Sequence, residues 1–270
     1  MATVTNYLNV ASWNIHEGVP VGRKSFDKDA REQLIRLVSQ KQIDVLCLQE
    51  VDFDGFGHSR ILDTIRSTTN LKYITQSILS ESSFFSSKCA GVAIASRFPL
   101  KETRERGLEN PRLVGQLGGN SITTFDKGLV SAIVGAPGFP FRAVSLHAFP
   151  FHLFGRYAGD RSFTSIWLDL GAEISRLANY PLAVCGDFNT SNRDLVMRST
   201  EVPLVRVIGD VPTYEDKSYD DILVSSGLRA NSSWTIENFS DHRLCLAKLY
   251  TEVEYGREKE PTRAGAITRR

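Results

Sequence analysis

Strand-length apolar runs, most of them bordered by a residue that can bind a cation or move a proton, constrain this chain more than any other feature. "YLNVASWN" at 7–14 alternates loosely and ends on Asn14. "IDVLCLQEV" at 43–51 is almost unbroken apolar, the pattern of a strand buried on both faces. "CAGVAIASRFPL" (89–100), "FRAVSLHAF" (141–149), "PLAVCGDF" (181–188), "YDDILVSS" (219–226) and "HRLCLAKLY" (242–250) read as further strands. "SITTF" and "GLVSAIV" flank "DKG", a hairpin signal. Residues 102–120 are charged and glycine-containing and read as loop.

Helical spacing is rarer. Residues 25–42 place Ala30, Leu34, Leu37 and Val38 on one face behind a Ser25 or Asp27 cap. Residues 59–69 suggest a short helix, and 161–179 a long one through Phe163, Ile166, Trp167, Leu170, Ile174 and Leu177. Many strands with two long helices predict two packed sheets with helices outside.

With 270 residues, 41% of them hydrophobic, the chain can bury a large core. No short repeat and no internal linker is evident, so one domain is expected over 1–252, followed by a flexible polar tail at 253–270. A net charge of +1 argues against a strongly basic nucleic-acid grip and leaves room for a local basic groove. Of the four cysteines, Cys47, Cys185 and Cys245 sit in apolar runs and read, with Cys89, as free thiols. No Cys-x-x-Cys supports a zinc site. The first residues lack a basic region before an apolar core, and no apolar stretch reaches membrane-spanning length. A soluble cytoplasmic protein is expected, monomeric and without an obligate protein partner.

The polar residues bordering the runs form a pattern. Asn14, Glu50, His147 and Asp187 follow strand ends, whereas Asp220, Asp241 and His242 precede strand starts. In antiparallel pairs the end of one strand lies beside the start of its neighbour, so all can gather at one sheet edge. Asp187 and Asn189, two apart, point the same way if extended geometry persists. Singly, each residue has a plain structural reading as a turn or strand terminator. Together they supply oxygen donors for a hard cation such as magnesium, with histidines for acid–base chemistry.

The stretches "VASWNIHEG", "IDVLCLQEVD", "GVAIASRFPL", "VSLHAFP", "AVCGDFNTS", "YDDILVS" and "SDHRLCLAKL" resemble, in this order, the endonuclease/exonuclease/phosphatase family. That family includes pancreatic-type deoxyribonucleases, AP endonucleases, sphingomyelinases, inositol-polyphosphate phosphatases, deadenylases and tyrosyl-DNA phosphodiesterases. The resemblance runs from about Leu8 to Tyr250. It implies a four-layer α/β/β/α sandwich, in which two mixed, mostly antiparallel sheets pack face to face with helices outside. It also implies a magnesium ion, with manganese as a substitute, ligated by Glu50, with Asn14 beside it and Asp241 contributing directly or through water. Asp187 and Asn189 then orient the phosphate and the attacking group. His242, paired with Asp220 rather than Asp221, is implied as the general base or its orienter. His147 is implied to stabilise the phosphorane or protonate the leaving oxygen. Phosphoester hydrolysis needs these parts in any case: a cation on the phosphoryl oxygens, an activated water and a proton for the leaving group.

The resemblance is not uniform. Pancreatic-type deoxyribonucleases carry a second glutamate orienting the first histidine, in the strand matched here by "TFDKGLV", which offers Asp126 and Lys127. Lys127 reads either as a phosphate contact or as a hairpin residue. His147 itself argues against the AP endonuclease branch, which typically lacks that histidine. His16, His58 and His152 read as spare loop histidines, although His16, close to Asn14, is placed to touch substrate.

Two stretches read as substrate loops. One is "ESSFFSSK" at 81–88. The other, "HAFPFHLFGRYAGDR" at 147–161, leaves directly from His147. Rings interleaved with Arg156 and Arg161 suit base stacking with phosphate contact, and Phe154 and Arg156 are the expected substrate-binding pair beside Lys127. Exposed phenylalanines also suit a lipid surface. For Phe149 and Phe151 the alternative is local core. The sequence therefore predicts a magnesium-dependent phosphodiesterase acting on nucleic acid, a nuclease or DNA-end-processing enzyme. A sphingomyelinase-like or inositol-phosphate hydrolase, with a membrane lipid as one possible substrate, is the alternative. A non-catalytic binding module is disfavoured because no expected catalytic position is missing.

Overall fold

Alternation in β1 (Tyr7–Asn14) sends Val10 to one face of its sheet and Ala11 and Trp13 to the other. The same parity divides β2 (Val45–Phe53), where Val45 and Cys47 face one way and Leu46 and Leu48 the other. Both faces are buried, which is why this segment reads as an unbroken apolar run. The computed structural model describes residues 7–23 and 25–251; the tail expected from 253 lies outside them.

The next strands are β3 (Tyr73–Glu81), β4 (Cys89–Ser96), β5 (Leu100–Gly107), β6 (Val114–Leu117) and β7 (Asn120–Thr123). Then come β8 (Gly128–Val134), β9 (Phe141–His147), β10 (Leu182–Asp187), β11 (Leu204–Arg206) and β12 (Asp220–Ser225). The last are β13 (Arg229–Ile236) and β14 (Leu244–Tyr250). One sheet runs β13-β14-β1-β2-β4-β3, the other β11-β12-β10-β9-β8-β5, and β6-β7 forms a separate hairpin. The β1–β2 and β9–β10 pairs are parallel, and the remaining pairs are antiparallel.

The core divides into three apolar layers. The middle layer joins Val10, Val45, Cys47, Val92 and Ile94 of the first sheet to Val130, Ala143, Ala183, Cys185 and Ile222 of the second. An outer layer packs Leu46, Leu48, Ala93 and Leu246 under α1 (Lys28–Gln40) and α2 (Arg60–Thr68). The other outer layer packs Leu129, Val144, Leu146, Val184 and Leu223 under α3 (Thr164–Arg176) and α4 (Asp194–Met197). The result is the four-layer α/β/β/α sandwich. Asp27, rather than Ser25, caps α1, its Oδ1 accepting from Ala30 N at 2.9 Å. No described helix is long and apolar enough to cross a membrane.

A polar bridge interrupts the middle layer. Gln49 Nε2 of β2 donates to Ser145 Oγ of β9 at 3.0 Å, and Ser145 Oγ donates to the Leu48 carbonyl at 2.8 Å. These bonds tie the two sheets together one residue before Glu50 and two before His147.

Two sequence expectations are corrected. "SITTF" and "GLVSAIV" do not pair: β8 lies between β5 and β9, while β7 pairs with β6. The β6–β7 turn is made by Gly118 and Gly119, both with positive φ (58° and 82°), which glycine adopts without steric cost. The expected loop at 102–120 contains β5 and this hairpin. β5 is an edge strand exposed along nearly its whole length, so its charges face water instead of marking a loop.

Candidate active site

The strand register gathers the polar residues at one end of the sandwich. Asp187 lies opposite His147 in the parallel β9–β10 pair and opposite Asp220 in the β10–β12 pair. Asn14 lies beside Gln49, next to Glu50. At Glu50 the β2–β4 register shifts, and Glu50 takes φ 51°. Such a bulge re-aims a side chain at the end of a strand. Asn189 also has φ 51°, a conformation asparagine tolerates better than most residues.

Asp187 is the hub and is fully buried. Its Oδ2 accepts from Asn14 Nδ2 at 3.1 Å and from Asn189 Nδ2 at 3.2 Å, while Oδ1 accepts from Asn189 N at 2.8 Å. His147 Nε2 lies 3.5 Å and His242 Nε2 3.8 Å from the same Oδ2. His242 Nδ1 meets Asp220 Oδ2 at 2.8 Å, so Nδ1 carries a proton and Nε2 faces Asp187.

The two histidines are held in different charge states. Burial, Lys127 and His242 together push His147 well below its ordinary value and keep it neutral. Burial opposes charge on His242 too, but Asp220 and Asp187 outweigh it and raise His242 to about 10. Burial lifts Asp187 to about 7, against the pull of His242 and with help from Asp220. A neutral and a charged imidazole thus flank one carboxylate, an arrangement that separates acid from base roles.

The donor set fits a divalent cation. Asp187, Asp220 and His242 each offer a ligand atom, all within 4.8 Å of one another. Glu50 Oε1 lies 3.7 Å from His147 Nε2, so Glu50 and Asp187 converge on the same ring nitrogen. Asp220 Oδ1 is buried with no hydrogen-bond partner, a vacant oxygen donor. Oxygen donors of this kind suit a hard cation. Of the three residues expected to serve the metal, Glu50 faces this centre. Asn14 already uses Nδ2 on Asp187 and Oδ1 on the His16 N–H. Asp241 stands at the rim, its Oδ2 3.8 Å from His16 Nε2.

Lys127 reaches the site: its Nζ lies 3.2 Å from both ring nitrogens of His147. Enclosure lowers its affinity for a proton, against the attraction of Glu50, Asp187 and Glu17. Phe154 is turned elsewhere, towards β6, where a Cβ on Gly115 would sit 3.0 Å from its Cδ1. Arg156 is held within its own loop, by Asp160 Oδ2 and Ser162 Oγ, each at 3.2 Å. Phe149 and Phe151 are core residues. Asp221 points away from Asp220 and pairs with Arg206 at 2.9 Å and Arg193 at 3.4 Å.

Three features escaped the sequence reading. His16, expected as a solvated loop residue, donates from Nδ1 to the Val19 carbonyl and lies edge-on to Phe84 at 4.6 Å. Glu17, buried with φ 51°, accepts from Ser82 Oγ and from Ser83 N, clamping the phenylalanine loop to the rim. Tyr214 and Tyr219 stack on each other, and the Tyr214 ring lies 4.7 Å from that of His242. Only Tyr219 carried a usable signal, its place directly before Asp220.

The chain matches the model of the "Endonuclease/Exonuclease/phosphatase family" over residues 11–242. Among solved structures it is similar to an endonuclease/exonuclease/phosphatase from Beutenbergia cavernae, with TM-score 0.68 and 17% identity over 91% of this chain and 72% of that one. The human Nocturnin catalytic domain is similar with TM-score 0.59 and 18% identity, covering 92% of this chain and 98% of that one. Sphingomyelinase C from Streptomyces griseocarneus is similar with TM-score 0.56 and 14% identity, covering 90% and 99%. No curated protein sequence matches the chain. At these identities the solved structures speak for the fold alone, while the family match spans most of the sequence and every strand end that feeds the site. The chain belongs to the endonuclease/exonuclease/phosphatase family.

Proposed function

We propose that the protein is a magnesium-dependent phosphodiesterase acting on nucleic acid or its nucleotide ends. The carrying observation is the buried Asp187 carboxylate with His147 Nε2 at 3.5 Å and the Asp220-bound His242 at 3.8 Å. Magnesium, when bound, draws charge from the phosphoryl oxygens and so stabilises the transition state. Glu50, Asp187 and the unpartnered Oδ1 of Asp220 would hold it, with manganese as the substitute.

The remaining work belongs to side chains. Asp220 fixes the His242 ring with Nδ1–H towards itself, and the charged imidazolium aims Nε2–H at the centre, placed to give its proton to the leaving oxygen. His147, held neutral, faces the same centre and is placed to take a proton from the attacking water, the reverse of the roles the resemblance implies. Lys127 offers positive charge to a phosphoryl oxygen. Asn189, tied to Asp187 and to the Ala148 carbonyl at 3.0 Å, keeps the acceptor face in place. Free thiols at all four cysteines suit a reducing compartment, and we assign the protein to the cytoplasm.

The test is hydrolysis of a nuclease substrate and of bis-p-nitrophenyl phosphate by purified protein. Turnover should require magnesium and stop in EDTA. Undiminished turnover in EDTA would overturn the metal, and cleavage of sphingomyelin with none of nucleic acid would overturn the substrate.

A further inference from the structure

A groove of about 470 Å³ opens beside Asn189, lined by His152, Tyr157, Asn192, Lys217 and Tyr219. Each of its rings already has a partner within the protein. Tyr157 is 61% exposed, yet its hydroxyl accepts from Asn192 Nδ2 at 3.3 Å. Its ring also occupies space left by Gly159, where an added Cβ would lie 2.6 Å from Tyr157 Cε1. Tyr219 is buried and stacks on Tyr214 at 5.7 Å with an interplanar angle of 11°. His152 lies 4.9 Å from Tyr219 on one side, and His242 lies 4.7 Å from Tyr214 on the other. A line of rings therefore runs from a candidate catalytic histidine into the groove.

The other lining groups narrow the ligand. Asn192 brings an amide that can pair with the edge of a heterocycle, and the half-exposed Lys217, beside Asp216, brings a cation. An acyl chain has no use for an amide and a cation, and a sugar phosphate presents no flat face to a ring. A nucleobase uses all of them, since every base has a π-face and a hydrogen-bonding edge.

We propose that this groove is a base-binding subsite, holding the base of the nucleotide whose phosphate lies at Asp187, His147 and His242. This rests on the phosphodiesterase reading above and names which part of the substrate is recognised, and by which residues. The segment after His147 thus serves recognition through Tyr157 and His152 in place of Phe154.

The test compares adenosine 5′-monophosphate with ribose 5-phosphate by isothermal titration, with calcium present in place of magnesium. Wild-type protein should bind the nucleotide about tenfold more tightly or better, the usual scale of one base stacked on an aromatic ring. Tyr157→Ala should lose that preference and leave ribose 5-phosphate binding where it was. Tyr157→Phe, which keeps the ring and drops the hydroxyl, should retain most of it. Equal binding of the two ligands by wild type, no detectable nucleotide binding, or an intact preference in Tyr157→Ala would each overturn the subsite. The parent reading fails separately, by absence of metal-dependent turnover of bis-p-nitrophenyl phosphate, a diester without a base.

Discussion

Asp220 and Asp221 are adjacent, both fully buried, and turned to opposite faces of β12. Their substitutions should part company. Asp220→Asn unfastens His242 in the candidate site, and under the proposed function a mispositioned acid–base group costs ~10²–10⁴-fold in rate. Asp221→Asn leaves the buried Arg193 guanidinium without its anion, and breaking such a pair costs about 3–5 kcal/mol. Single-turnover kinetics and urea denaturation of both variants should show a catalytic defect in the first and a stability defect in the second. Glu50→Gln should remove most metal-dependent hydrolysis with little change in melting temperature, because Glu50 projects from a bulge into the site. Glu17 gives a pH signature. Burial raises it above its ordinary 4.5, with Ser82 and Ser83 opposing, so the folded chain holds a proton that the unfolded chain has released. Stability should then fall as pH rises from that ordinary value through the raised one, with the penalty complete above it. Glu17→Gln has no such titration, so its melting temperature relative to wild type should rise with pH across that window. The residues that were legible in advance border apolar runs, because a run's end marks the sheet edge. His16, Glu17 and Tyr214 lie in segments without periodicity, and only tertiary folding brings them to the rim.

At the scale of elements, the strands of the two main sheets that the sequence hid are β3, β5, β11 and β13, and these are their outermost strands. An edge strand has one neighbour and commonly carries charge to prevent further pairing, which erases the alternation that identifies a strand. Interior strands kept their pattern because neighbours cover them on both sides. The hairpin misreading has the same root: "DKG" is followed by a true strand, but that strand's partners are β9 and the charged and unrecognised β5. Helix α3 supplies a test of packing against propensity. Alanine normally stabilises a helix over glycine by about 1 kcal/mol. At Gly171 an added Cβ would meet the Ser199 carbonyl oxygen at 2.0 Å, a backbone atom that cannot swing aside. Gly171→Ala should therefore destabilise by about 1–3 kcal/mol, reversing the usual sign in a denaturant titration.

For the whole molecule, the layer between the sheets holds Cys47, Cys185 and Cys245, all free and fully buried, whereas Cys89 is half-buried. A thiol reagent such as DTNB should modify at most Cys89 in the native protein and all four thiols in denaturant. Rapid native reaction of more than one thiol would mean that the sheets separate readily. The bridge from Gln49 to Ser145 carries a further consequence. Glu50 and Asn14 belong to one sheet, and His147, Asp187 and Asp220 to the other. No disulfide ties one slab to its fellow, and apolar contacts set their relative position less sharply than directional bonds do. Cutting this bridge, as in Ser145→Ala, should let the slabs drift by fractions of an ångström while each keeps its own hydrogen-bond ladder. Catalysis would then fade on warming at temperatures where circular dichroism still reports intact strands, and the rate of hydrolysis would act as a gauge of alignment finer than any spectroscopic measure of folding.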